Sequence, residues 1–155
     1  MTPAHHLNPR LLVLVAIGGM VGTTGRYLLS EAVPSHGGWP VATFVANVLG
    51  SFLLGALLEA LLRRGRESPR GRAVRLGVGT GVLGGFTTFS SLALELERLL
   101  ANDALLTAAT YAVASLTCGL LACLLGVAVA ARHHQRSRAR RPHPDDRPVS
   151  GGAAR

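Results

Sequence analysis

Residues 84–91 read Gly-Gly-Phe-Thr-Thr-Phe-Ser-Ser, two adjacent glycines and four hydroxyls set inside an otherwise lipid-compatible stretch. Each glycine costs a helix about 1 kcal/mol against alanine. Backbone released from a helix at membrane depth must be buried in protein or face a water-filled cavity. A break here would free the carbonyls of Gly84 and Thr87, which then suit a cation such as Na+. Phe86 and Phe89 are three apart and are predicted to share a helix face. Their ring edges carry positive potential, so they can meet an anion without holding it too tightly to conduct. The same spacing also fits two core aromatics.

Other spans carry polar groups at helical spacing. Thr43, Asn47, Ser51, Gly55 and Glu59 recur every four residues, as do Gly18, Gly22, Arg26 and Ser30, then Gly77, Gly81 and Gly85, then Tyr111, Ser115 and Gly119. The Asn47 amide and the hydroxyls of Thr43 and Ser115 are hydrogen-bond donors of the kind an anion path uses. Small-xxx-small stripes also let helices approach closely, and Ser or Thr in a membrane helix often bonds back to its own turn. Asn47 equally fits an interhelical hydrogen bond. Arg26 either snorkels to the membrane surface or needs a partner or an aqueous vestibule. Glu95, just past the third span, fits an interfacial position as well as a functional one.

The elements that must position these groups follow from hydropathy. The chain has 155 residues, 48% hydrophobic and only 15% charged, and contains no Lys. Its apolar residues are bunched into four predicted spans, about 11–29, 39–62, 76–94 and 104–131. The expected fold class is therefore an all-α membrane protein with four transmembrane helices, the third broken near its middle. Residues 1–10 form an N-terminal segment, 11–131 the membrane domain, and 132–155 read as a disordered basic cytoplasmic tail. The net charge of +8 lies outside the spans, in Arg63, Arg64, Arg66, Arg70, Arg72 and Arg75 and in the run from Arg132 to Arg141. Basic flanks of spans account for it, and no aromatic interleaving suggests nucleic acid as a partner. Arg10 falls on the same predicted side as these blocks, against only Arg98 on the other, which predicts both termini inside.

Cys118 and Cys123 are five apart, share no helix face, and suit neither a disulfide nor a metal site. His133, His134 and His143 read as solvated tail residues. No His cluster, Ser/His pair or carboxylate pair lies in the spans at usable spacing, so an enzyme is not expected.

The chain resembles the Fluc (CrcB) family of bacterial fluoride channels. The resemblance rests on Gly18-Gly19, Gly22 and Gly25-Arg26-Tyr27, on Thr43 and Asn47 through Gly50-Ser51-Phe52, on Gly84 through Ser90 with Glu95, and on Tyr111 and Ser115. It implies a passive, fluoride-selective channel in the bacterial cell membrane that lets cytoplasmic fluoride leak out, lowering its toxicity. It implies that Phe86 and Phe89 line the anion path with Asn47, Thr43, Tyr111 and Ser115 along it. Arg26 would stand at the vestibule. A structural Na+ would rest on backbone oxygens of Gly84 and Thr87, repeated from a second subunit. Family members are antiparallel, dual-topology-type dimers with pores at the interface. The second four-helix subunit is either identical or an oppositely oriented homologue, and the strong charge bias, which departs from that pattern, favours the homologue. Gly119 also lacks the hydroxyl that some relatives carry one turn beyond Ser115.

Two other classes make different demands. A small four-helix multidrug exporter needs a membrane-embedded carboxylate in its first span, where this chain has Arg26. A non-transporting scaffold would use the hydroxyl-rich break only for packing.

Overall fold

The computed structural model describes residues 8–33 and 38–139. All of their regular structure is helical. Helix α1 spans Pro9–Ala32 and α2 spans Val41–Leu62. A short α3, Pro69–Val74, runs into a π-helical segment, Arg75–Leu83, and then into one turn of α-helix, α4, Gly84–Phe86. Helix α5 spans Phe89–Ala101 and α6 spans Leu105–Ala139.

Local chemistry explains the starts. Asn8 caps α1 by accepting from the Arg10 amide at 3.1 Å, with Pro9 in the first turn. Ser68 does the same for α3, accepting from Gly71 N at 3.1 Å with Pro69 next. Pro40 stands just outside α2 at its N-cap.

Three helices are long and apolar enough to cross a membrane: Pro9–Ala32, Val41–Leu62 and Leu105–Arg136. The third predicted span is not one helix. It is interrupted at Thr87 and Thr88, whose backbones are extended (ψ 156° and 126°). Its helical pieces also reach further than the predicted 76–94, starting at Pro69 and ending at Ala101. The boundary of the tail needs correction: α6 continues through Ala139, so residues 132–139 are helical rather than disordered. Straight-chain Arg and Gln are good helix formers and extend a helix already nucleated in the span. The remainder of the tail, with His143, lies outside the described residues, as do residues 1–7.

Packing divides the bundle into two pairs of parallel neighbours. Along α1, Gly18 and Gly22 press against the backbone of the third segment, where a Cβ on either would collide with a carbonyl, of Gly77 and of Val82 respectively. Along α2, Ser51 lies beside Gly119 of α6, Gly55 meets the Cys123 carbonyl, and the Ala56 amide meets Gly126. In both pairs residue numbers rise together. Asn47 of α2 faces Thr88, whereas Leu54 and Leu57 lie near Gly79, so the two pairs run in opposite directions. Arg10, the Arg63–Arg75 block and Arg132–Arg136 consequently share one end of the bundle.

Little of the chain is buried in the manner of a water-soluble domain. Tyr111, Ala46, Leu83, Leu92 and Ala108 are the buried hydrophobics among the described residues. Ile17, Met20, Leu116 and Leu120 are each at least half exposed, as are many of their neighbours. Apolar surface on that scale requires lipid or another protein.

Candidate functional site

Interrupting a helix leaves amides and carbonyls that must find new partners. Here some of them do, from three directions. Asn47 on α2 clamps Thr88 with both halves of its amide: Nδ2 donates to the Thr88 carbonyl at 2.9 Å, and Thr88 N donates to Oδ1 at 2.8 Å. On α1, Thr23 Oγ1 and Arg26 Nε each make a long bond of 3.4 Å to the Gly85 carbonyl. Thr88 caps α5, its hydroxyl accepting from Ser91 N at 3.1 Å. Thr87 Oγ1 bonds back to the Leu83 carbonyl at 2.9 Å.

Three oxygens are left over, those of Gly84, Phe86 and Thr87. In a continuous helix Thr88 N would donate to the Gly84 carbonyl, but it is turned onto Asn47. The amide of Ser91, which would reach Thr87 O, is taken by the Thr88 hydroxyl. Ser90 N, which would reach Phe86 O, makes no such bond, and among the described residues no donor bonds to the carbonyls of Gly84, Phe86 or Thr87.

A groove of about 510 Å³ opens beside the break, between α2, the third segment and α6. Asn47, Ser51, Thr87, Thr88, Phe89 and Ser115 supply its aromatic and polar lining, and Gly84 borders it too. Ser115 Oγ is buried and has no hydrogen-bond partner among the described residues. An unpaired buried hydroxyl carries a desolvation cost of about 1–3 kcal/mol. Ser115 lines the groove, and its hydroxyl is a donor that no bond among the described residues uses.

A second polar cluster lies nearer the opposite end from the arginines. The Glu95 carboxylate on α5 accepts from Thr43 Oγ1 on α2 and from the Tyr111 hydroxyl on α6, both at 2.6 Å. Trp39 packs edge-on against Tyr111 and Phe44, with ring centres 5.3 and 5.6 Å apart. Glu95 is thus the joint of three helices. The sequence contained its signal, an acid near two hydroxyl-bearing spans, but not which hydroxyls would meet it.

The structure brings Asn47, Gly84, Thr87, Phe89 and Ser115 around one groove, and joins Thr43 to Tyr111 through Glu95. Arg26 lies on the far side of the break, against the Gly85 carbonyl. The expectation that Phe86 and Phe89 share a face is overturned. Two extended residues between them destroy the three-residue helical register. Phe86 packs toward Gly25 of α1 and Gly50 of α2, whereas Phe89 opens α5 into the groove and is 77% exposed. Ser51 and Thr23 were not singled out as site residues by the sequence, although Ser51 stood in the α2 stripe.

Comparison with known proteins meets this geometry. A family profile described as "CrcB-like protein, Camphor Resistance (CrcB)" matches residues 13–127. The chain belongs to the CrcB-like family. Similar members include "Fluoride-specific ion channel FluC 2" of Leifsonia xyli subsp. xyli, 46% identical over 126 residues, covering 81% of this chain and 87% of that one. "Fluoride-specific ion channel FluC" of Caulobacter vibrioides is 46% identical over 121 residues, 77% of this chain and 94% of its own. "Fluoride-specific ion channel FluC 1" of Cutibacterium acnes is 40% identical over 115 residues, 74% and 80% of the two chains. The CrcB-like match spans α1 through most of α6, so the break, its clamps and the groove all lie inside it. With three membrane-length helices and a channel family, this is a multi-pass membrane protein of the bacterial cell membrane and not an enzyme.

Proposed function

We propose that this chain is a subunit of a passive, fluoride-selective channel that exports cytoplasmic fluoride. The ion comes from the names its relatives carry. The route rests on one observation in this chain, the groove at the broken third segment, where Ser115 Oγ is unpartnered and Phe89 stands exposed. A small anion entering there meets a hydroxyl, the second hydrogen of the Asn47 amide and a ring edge. Each is a neutral donor, and such groups replace hydration without trapping the ion. Thr43 and Tyr111 continue the polar track beyond the groove, with Phe86 on the opposite side of the break. Arg26 raises the potential at the mouth on its own side.

Gly84 and Thr87 are the residues that would hold a structural Na+. Their carbonyls are hard oxygen ligands without donors from the chain, which fits such a cation. When bound, it supplies a fixed positive charge beside the groove. Two oxygens are few for a hard cation. A second four-helix subunit in the reverse orientation, repeating the pair, would complete the set. The exposed Phe89 also calls for that subunit. The piecewise third segment counts here as the fourth crossing.

Concentration of the basic blocks at one end favours insertion in one direction. The partner is then an oppositely biased homologue rather than an identical copy.

Liposomes carrying the protein, or the protein with such a homologue, are expected to release fluoride rapidly and chloride hardly at all. Equal release of the two anions would remove the selectivity, and no release from either preparation would remove the channel.

A further inference from the structure

A second cavity, of about 450 Å³, lies at the basic end, between the end of α2 and the α3 helix that follows it. Its wall is apolar, with Leu58, Leu62 and Val74 exposed, and its rim carries Arg64, Arg66 and Arg70. The two halves of this surface ask for different chemistry.

Ion-pair accounting isolates the rim. Glu59 pairs with Arg63 one turn along. Glu67 accepts from Arg75 Nε at 2.8 Å and from Arg72 Nε at 3.3 Å, so one carboxylate serves two guanidiniums. The neighbouring Arg75 holds the Glu67 carboxyl below the usual carboxylate range. Arg64, Arg66 and Arg70 have no carboxylate partner among the described residues. All three are exposed, and the nearby acids are already engaged.

We infer that this cavity binds an anionic phospholipid, with Arg64, Arg66 and Arg70 on the phosphate and the Leu58–Leu62–Val74 wall on the upper acyl chain. Charge complementarity selects the head group: guanidiniums bind phosphate oxygens in a planar fork. Position selects lipid over free phosphate. The cavity sits where α2 leaves the membrane, and a free anion would leave its apolar wall wet. Basic pockets between helix ends at the membrane surface are suited to anionic head groups.

Binding is tested on the full chain in detergent by native mass spectrometry, with phosphatidylglycerol and phosphatidylcholine offered together. The expected result is selective retention of phosphatidylglycerol. Each near-surface Arg contributes about fivefold in affinity, so R70Q should weaken retention by about that factor and R64Q/R66Q/R70Q by about a hundredfold. Two controls separate a built site from general attraction. R132Q/R136Q removes charge from the same end of the bundle and should leave retention unchanged. L62N should weaken phosphatidylglycerol retention while leaving the rim charges in place. Equal retention of the two lipids, or loss in R132Q/R136Q as large as in the triple variant, would overturn the proposal. Competition by soluble glycerol phosphate at concentrations equal to the lipid would also overturn it, by reducing the site to a simple anion site. Eluting volume unchanged from the parent protein identifies folded variants, and R70Q alone serves if the triple variant does not fold.

Discussion

Asn47 does two things at once, and its mutants should report both. Its amide holds Thr88 in the extended conformation that creates the break, and the residue lines the groove. Aspartate keeps the size but loses the donor to the Thr88 carbonyl and sets a negative charge beside the proposed anion route. Losing a buried bond and leaving its partner unpaired costs about 1–3 kcal/mol. Fluoride efflux from N47D proteoliposomes is expected to fall by about tenfold or more. Unchanged flux would remove Asn47 from the path. The sequence marked this residue through its place in a four-residue stripe. That it grips backbone was not legible, because the groups it binds become available only when the helix breaks.

At the scale of elements, the glycine stripes separate into those that bear contact and those that do not. A Cβ on Gly22 would run into the Val82 carbonyl and lie 2.8 Å from Phe86 N, whereas Gly19 has open space at that position. Gly22→Ala should therefore destabilise the bundle by about 1–3 kcal/mol through forced separation of α1 from the third segment. Gly19→Ala should be neutral or slightly stabilising, since alanine is the better helix former. Thermal unfolding in detergent compares the two; equal losses would mean that the seam is not the tight contact described. Spacing set Gly22 in the four-residue stripe and left Gly19 out of it, but not how closely another backbone approaches either. Their distinction depends on where the neighbouring backbone passes.

The connection between α2 and α3 makes a pH-dependent prediction at the same scale. Glu67 is held below its ordinary range chiefly by Arg75. A depressed carboxylate stabilises the fold above its unfolded pKa, and that contribution is lost as pH falls through the folded value. The group is fully exposed, so the effect is small and screened by salt. The acid-side drop in thermal midpoint should shrink in Glu67→Gln, and an unaltered pH profile would show that the carboxylate contributes nothing to stability.

For the whole molecule, the parallel pairing of α1 with the third segment and of α2 with α6 gathers the arginines at one end. We propose one-way insertion on the positive-inside tendency. A cysteine placed at Asn102, which is exposed at the other end, should react almost completely with a membrane-impermeant thiol reagent applied outside intact cells. Half-complete labelling would indicate insertion in both directions. A purified homodimer of this chain that conducts fluoride at normal rates would likewise sink the idea of an oppositely biased partner.

The sequence by itself determined the membrane class, the approximate places of the three long helices and the family resemblance. These depend on local composition and periodicity, which water, lipid and a single helix already enforce. The break at Gly84–Ser90 was legible for the same reason, since adjacent glycines and clustered hydroxyls weaken any helix. Tertiary structure alone decided that Phe86 and Phe89 part company across the break, that Glu95 joins Thr43 to Tyr111, and that Arg26 meets the Gly85 carbonyl. It also decided which carbonyls remain without donors. Those outcomes depend on which freed backbone group each neighbouring helix can reach, a competition between elements far apart in the chain.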